Sequence, residues 1–296
     1  MLPAIWTDHE QAALERLLPF ALEEDIDSGD LTSQSLVPES AQGRAALVAR
    51  EEGIVAGLAA AAAVYRALDP AVQFKSEVAD GQAITPGERL ALISGPARSL
   101  LTGERLALNF VGRLSGIATA TGRYVAAARG TRAGIYDTRK TTPGWRVLEK
   151  YAVRAGGGIN HRQGLFDAVL IKDNHLAFGS AADPNTRFTP AQAVQQARRQ
   201  VPSGTVVQVE VDDLVQLEQV LAVAPDIVLL DNMNPDQLRR AVELRDQLAP
   251  AVELEASGGI TLERIPDIAA TGVERISIGA LTHSVRCLDV GLDWDV

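Results

Sequence analysis

Six short apolar runs punctuate the chain from about residue 130 onward: AGIYD (133–137), AVLIKD (168–173), VVQVEVD (206–212), DIVLLDN (226–232), VELEAS (252–257) and RISIG (275–279). Each ends in polar or small residues. Between several of them lie amphipathic stretches, AQAVQQARRQ (191–200), LVQLEQVLA (214–222) and PDQLRRAVELRDQL (235–248), whose apolar positions recur three and four apart. Strands buried on both faces and alternating with helices predict a parallel sheet. Six or more such units within about 170 residues predict a closed or nearly closed β/α barrel, with an open doubly wound sheet as the alternative.

The first part of the chain has a different rhythm. It predicts a helix over 9–22, an acidic, turn-rich segment EEDIDSGDLTS (23–33), and strands around RAALVAR (44–50), VQFKSEV (72–78) and RLALIS (89–94). Asp80-Gly81 and Pro86-Gly87 are turn signals of the kind found in antiparallel hairpins, so this is read as a second, α+β domain. The stretch from Ser99 to Arg129 reads as a long helix with some breaks at glycine, joining this domain to the barrel. A lipoyl or biotinyl carrier would need its lysine at an exposed hairpin tip, whereas Lys75 falls inside a predicted strand.

Composition narrows the function. With 46% hydrophobic residues, 296 residues can bury a large core and do not describe a disordered chain. A net charge of −10 and a pI near 5.0 argue against nucleic acid or an anionic membrane as partner, so any anion site must be focal. The one cysteine, Cys287, cannot form an internal disulfide, which fits a reducing, cytoplasmic setting. MLPAIWTDHEQ lacks the basic and apolar regions of a secretion signal, and the longest apolar run, GLAAAAAVYRAL (57–68), is too short to span a membrane. A soluble protein is expected.

If the later half is a barrel, its strand ends face one mouth, where sites of this architecture are built. Read in order, those ends carry Asp137, Arg139 and Lys140; Lys172 and Asp173; Glu210 and Asp212; Asp231 and Asn232; Ser257, Gly258 and Gly259; and Gly279. Cations come first, carboxylates next, and small residues with open backbone amides last. Arginine offers a planar fork for carboxylate or phosphate, and lysine a compact charge for a departing anion. Carboxylates on neighbouring strands can hold Mg²⁺ together with substrate oxygens. Ser257-Gly258-Gly259 ahead of a predicted helix start at Thr261 can wrap a phosphate. His161 and His175 lack the spacing of a metal pair, and His175 is read as a helix cap. A Schiff-base aldolase using Lys172 is the rival reading within enzymes.

The forty residues YDTRKTTPGWRVLEKYAVRAGGGINHRQGLFDAVLIKDNH (136–175) closely resemble the decarboxylating quinolinate phosphoribosyltransferase family, also called nicotinate-nucleotide pyrophosphorylase (carboxylating). EEDIDSGDLTS, GERLALNFVGRLSGIATAT (103–121), VEVDDLVQLE (209–218), IVLLDNM (227–233), LEASGGI (254–260) and ISIGALTHS (276–284) resemble family motifs in the same order, so the likeness runs nearly the full length. Asp27 stands where the family pattern has glycine, and Leu106 where it has threonine.

The resemblance implies transfer of the phosphoribosyl group of phosphoribosyl pyrophosphate to quinolinate with release of pyrophosphate and CO₂, giving nicotinate mononucleotide for NAD biosynthesis. It implies a seven-stranded incomplete β/α barrel, residues 117–285, beside an N-terminal α+β open sandwich, residues 1–116, to which the tail 286–296 returns. A homodimer with shared active sites, or a higher oligomer, is implied, with Mg²⁺ as cofactor. Arg139, His161, Arg162 and Lys172 would grip the carboxylates of quinolinate, with Arg105 arriving from the neighbouring subunit. Lys140 and Lys172 would lie near the pyrophosphate, and Glu210 and Asp231 would engage Mg²⁺ and the ribose hydroxyls. Thr138, Ser257, Gly258, Gly259, Gly279 and His283 would complete the substrate contacts, the last five around phosphate.

Overall fold

The computed structural model describes residues 6–179 and 188–295; the first five residues of the stretch read for a leader lie outside the described residues. The chain forms two compact units. One comprises the residues up to Gly122 with 140–158 and the segment from Ala280 on, and the other comprises 123–139 and 159–279. The boundaries implied by the family likeness, after 116 and 285, leave residues 140–158 with the barrel, whereas they group here with the first unit.

In chain order the elements are α1 (Asp8–Ile26), α2 (Leu31–Leu36), β1 (Gln42–Ala49), β2 (Gly53–Ile54), α3 (Leu58–Leu68), β3 (Gln73–Ser76), β4 (Ala83–Ile84), β5 (Arg89–Pro96) and α4 (Ala97–Ala127). They continue with β6 (Gly134–Tyr136), α5 (Arg146–Ala155), β7 (Ala168–Ile171), α6 (Asp173–Phe178), α7 (Pro190–Gln200), β8 (Val206–Val211), α8 (Leu214–Leu221) and β9 (Ile227–Asp231). The last are α9 (Pro235–Leu248), β10 (Glu253–Ser257), α10 (Ile265–Ala269), β11 (Arg275–Ser277), α11 (Ala280–His283) and β12 (Val290–Asp295).

The first unit is built on an antiparallel sheet in the order β12-β1-β5-β3, in which Leu47 faces Leu292 on one side and Ala91 on the other. The returning tail is thus strand β12, and Lys75 lies on β3 as its alternating neighbours indicated. Helix α4 runs unbroken for 31 residues, so the breaks expected at its glycines do not occur. Those glycines serve close approach instead. A Cβ at Gly116 would sit 2.2 Å from the carbonyl oxygen of Arg286, and only a bare backbone lets the tail lie against the helix there.

The second unit holds a parallel six-stranded sheet in the order β6-β11-β10-β9-β8-β7. Strand β6, the first strand of this sheet in chain order, pairs with β11, its last, which is the cyclic order of a barrel rather than the reversal of a doubly wound sheet. Among the described residues no strand pairing joins β6 to β7, so the barrel is incomplete. The seventh strand expected from the family likeness is reduced to a single parallel bridge, Tyr136 with Ile159, on the free side of β6. Along β8, Val207, Val209 and Val211 are buried on one face, while Gln208 and Glu210 point the other way, so one face of the strand is apolar and the other polar. No helix among the described residues is long and apolar enough to cross a membrane.

Candidate active site

Because the six strands of the second unit are parallel, their C-terminal ends lie along one rim. Asp137, directly after β6, is fully buried and anchors the next part of that rim: its Oδ1 accepts from the His161 amide at 2.8 Å and its Oδ2 from Asn160 Nδ2 at 2.6 Å. With the Ile159 bridge, this fixes the loop carrying His161 and Arg162 beside the one carrying Thr138 and Arg139. Arg162 donates through Nη1 to the Ala168 carbonyl at 3.0 Å. Burial and the neighbouring Arg139 push the Arg162 guanidinium below its ordinary pKa, against the opposing pull of Asp167. Like charges that repel in a partly dehydrated setting form a seat that an anion relieves.

Lys172, just past β7, forms an ion pair with Glu210 near the end of β8. Asp231 closes β9 and accepts from Asn232 Nδ2 at 2.7 Å. Asn232 has a positive φ of 54°, and its amide donates to the Ser257 carbonyl at 2.9 Å. Its side chain fills the space a Cβ would need at Gly258, 2.3 Å from such an atom, and Gly258 itself has φ of 94°. The Ser257-Gly258-Gly259 turn is therefore shaped by Asn232, and Gly258 admits no larger residue without displacing it. Gly279 follows Ile278, whose amide donates to the Tyr136 carbonyl at 2.9 Å. His175 accepts the Lys172 amide proton at Nδ1, 2.9 Å, at the start of α6, a cap as expected.

Arg105, Lys140 and His283 belong to the first unit and are exposed there. The Lys140 carbonyl accepts from Thr282 Oγ1 at 2.7 Å, which ties its segment to α11, the helix of His283. Thr142 donates its amide and hydroxyl to the fully buried Glu149 at 3.1 and 2.9 Å. Arg113 on α4 donates to the same carboxylate at 2.6 Å and to the Thr282 carbonyl at 2.5 Å. His283 Nδ1 lies 2.6 Å from Ser284 Oγ. Arg105 lines a cleft of about 490 Å³ with Asn109, Arg113, Trp145 and Asp289.

Several residues of these clusters escaped the sequence reading. Glu255 on β10 and Arg275 on β11, joined by an Arg275 Nε bond of 2.8 Å to the Glu255 carboxylate, are charged positions inside strands. The signal for Glu255 was the two-residue period that places Glu253, Glu255 and Ser257 on one face of β10. Glu149 and Arg113 sit on helices among apolar neighbours and gave no local signal.

Comparison with known proteins places these features in context. A family model described as the quinolinate phosphoribosyl transferase C-terminal domain matches residues 117–293, and one for the N-terminal domain of the same enzyme matches 30–115. A nicotinate-nucleotide pyrophosphorylase (carboxylating) from Mycobacterium leprae is 45% identical over 291 residues, covering 97% of this chain and 99% of that one. A probable nicotinate-nucleotide pyrophosphorylase (carboxylating) from Bacillus subtilis is 44% identical over 281 residues, covering 95% and 93%. Among solved structures, the nicotinate-nucleotide pyrophosphorylase from Francisella tularensis superposes with a TM-score of 0.87 at 39% identity, covering 96% of each chain.

Proposed function

The chain belongs to the quinolinate phosphoribosyltransferase family, and from that premise we propose how its residues divide the work of the reaction. The enzyme transfers phosphoribosyl from phosphoribosyl pyrophosphate to quinolinate with decarboxylation, giving nicotinate mononucleotide, pyrophosphate and CO₂ for NAD biosynthesis. The observation that carries the residue assignment is the buried Asp137, whose two oxygens bind Asn160 and the His161 amide and so set the loop of His161 and Arg162 beside the segment of Thr138 and Arg139.

In this reading Arg139, Arg162 and Lys172 hold the two carboxylates of quinolinate, His161 serves the same site by accepting the Arg162 amide at Nδ1, and Thr138 supports the same rim. The Ser257-Gly258-Gly259 turn, Gly279 and His283 serve the 5′-phosphate. Glu210 and Asp231 would engage Mg²⁺ and the ribose hydroxyls. Two carboxylates on neighbouring strands fit that ion, which keeps most of its shell for water and substrate oxygens and needs no protein cage. When bound, Mg²⁺ supplies positive charge to the pyrophosphate oxygens.

The ring nitrogen of quinolinate forms its bond to C1′ of the ribose as the bond from C1′ to pyrophosphate breaks, and the electron pair leaves with the pyrophosphate. Lys172 and Lys140 stabilise that developing charge. Alkylation makes the ring cationic, so the electrons of the bond to the adjacent carboxylate fall into the ring as CO₂ departs. Lys140 then donates a proton to the ring carbon left behind. No protein nucleophile takes part, and the aldolase reading of Lys172 is not needed. The same proposal places Arg105 in the partner subunit's site within a homodimer, and the enzyme in the reducing cytoplasm that its one cysteine suits.

The test is incubation with quinolinate, phosphoribosyl pyrophosphate and Mg²⁺, following nicotinate mononucleotide and CO₂ together. Equal amounts of both are expected. Nicotinate mononucleotide made only from nicotinate, with no CO₂ from quinolinate, would refute the assignment.

A further inference from the structure

Beneath the rim of the second unit runs a buried chain of polar groups of which the reaction as described uses only His161. Glu255 on β10 is wholly buried. One carboxylate oxygen accepts from Arg275 Nε at 2.8 Å, and the other, a buried oxygen with no hydrogen bond of its own, lies 3.3 Å from His161 Nε2. Arg275 reaches on to Glu253 at 3.2 Å, and its guanidinium lies over the Tyr136 ring, 3.8 Å from the centroid. On the far side of the imidazole, His161 Nδ1 accepts the backbone N–H of Arg162 at 2.8 Å. A ring nitrogen that accepts carries no proton, so the proton of the neutral ring is on Nε2, the nitrogen that lies beside the Glu255 carboxylate.

Such a cluster is a poor way to gain stability, since apolar residues of the same volume usually fill a core as well or better. Its geometry instead leads upward to the rim. Glu255 sets the ring, the ring sets the Arg162 amide, and Asp137 fixes the amide of His161 from the other side. We propose that Glu255 is a positioning residue for quinolinate, holding His161 in the Nε2–H tautomer so that Nδ1 fixes the backbone of Arg162 and keeps its guanidinium beside Arg139. The inference rests on the assignment of His161 and Arg162 to quinolinate.

Two measurements test it. The protein has only four histidines, so ¹⁵N imidazole spectra of the whole wild-type enzyme can be assigned by the signal lost in His161→Gln. An unprotonated, acceptor-type Nδ1 and a protonated Nε2 are expected at His161. The reverse tautomer would overturn the proposal without any variant of Glu255. In Glu255→Gln, which keeps the shape and removes the charge, KM for quinolinate should rise on the order of tenfold while KM for phosphoribosyl pyrophosphate stays unchanged. A purely structural role would lower thermal stability and leave both constants alone, and that result would also overturn it. Arg162→Ala is the control. If it raises KM for quinolinate and Glu255→Gln does not, only the positioning role falls. If neither does, the quinolinate assignment falls with it.

Discussion

Asp27 ends α1 with φ of 41° and ψ of −105°, a backbone conformation that costs a side-chain-bearing residue free energy and glycine little. It is also the position where the family pattern has glycine, so the departure seen in the sequence has a physical consequence in the fold. Asp27→Gly is expected to raise stability by about 0.5–1 kcal/mol, read as a shift in the urea midpoint. Glu255 gives a second expectation at this scale. Burial pushes its carboxyl up, but His161 and Arg275 outweigh burial and hold it down at about 2. A carboxyl depressed in the folded state contributes stability that is complete above its ordinary value, near 4.5, and is lost as pH falls toward 2. Denaturant midpoints of the wild type measured from pH 6 down to pH 3 should fall more steeply than those of Glu255→Gln; parallel slopes would show that Glu255 is not depressed.

Among elements, the segment carrying Lys140 is held by α4 through Arg113, by α5 through Glu149 and by α11 through Thr282. Glu149→Gln turns an amide toward donors that the carboxylate accepts from, so the segment should loosen. The expected outcome is a fall in kcat on the order of tenfold with the affinity for quinolinate unchanged, since that affinity is assigned to Arg139 and Arg162 of the second unit. A titration showing weaker quinolinate binding would contradict this division. The same elements show what a sequence can and cannot announce. All six parallel strands were visible as apolar runs, because strands covered on both faces leave a strong local signal. The strand-end cations were visible because scarce lysines stood at the ends of those runs. Helix α4 was misread as broken, because the reason for Gly116 is the carbonyl of Arg286, a contact distant in sequence. The one-residue bridge at Ile159 and the two-residue pair β2–β4 are too short to carry a period. Glu149 and Glu255 were missed because a buried charge is defined by its partners, and those partners come from other elements.

For the whole molecule, the net charge of −10 means that the cationic rim must act locally against a repelling surface. The proposed exchange of Arg105 between subunits has a direct consequence at this scale. Arg105→Ala and Lys140→Ala homodimers should each be nearly inactive, while mixed dimers formed by subunit exchange should recover part of the wild-type rate through the one site that keeps both residues. An unchanged low rate after verified exchange would show that Arg105 is not shared. The account as a whole depends on Arg139 and Arg162 forming one seat for a dicarboxylate. Calorimetric titration of quinolinate into the wild type, Arg139→Ala and Arg162→Ala tests it most directly. Each variant should stay folded and bind quinolinate about ten- to a hundredfold more weakly, because a truncated fork leaves a carboxylate without its charged partner. Wild-type affinity in both variants would contradict it.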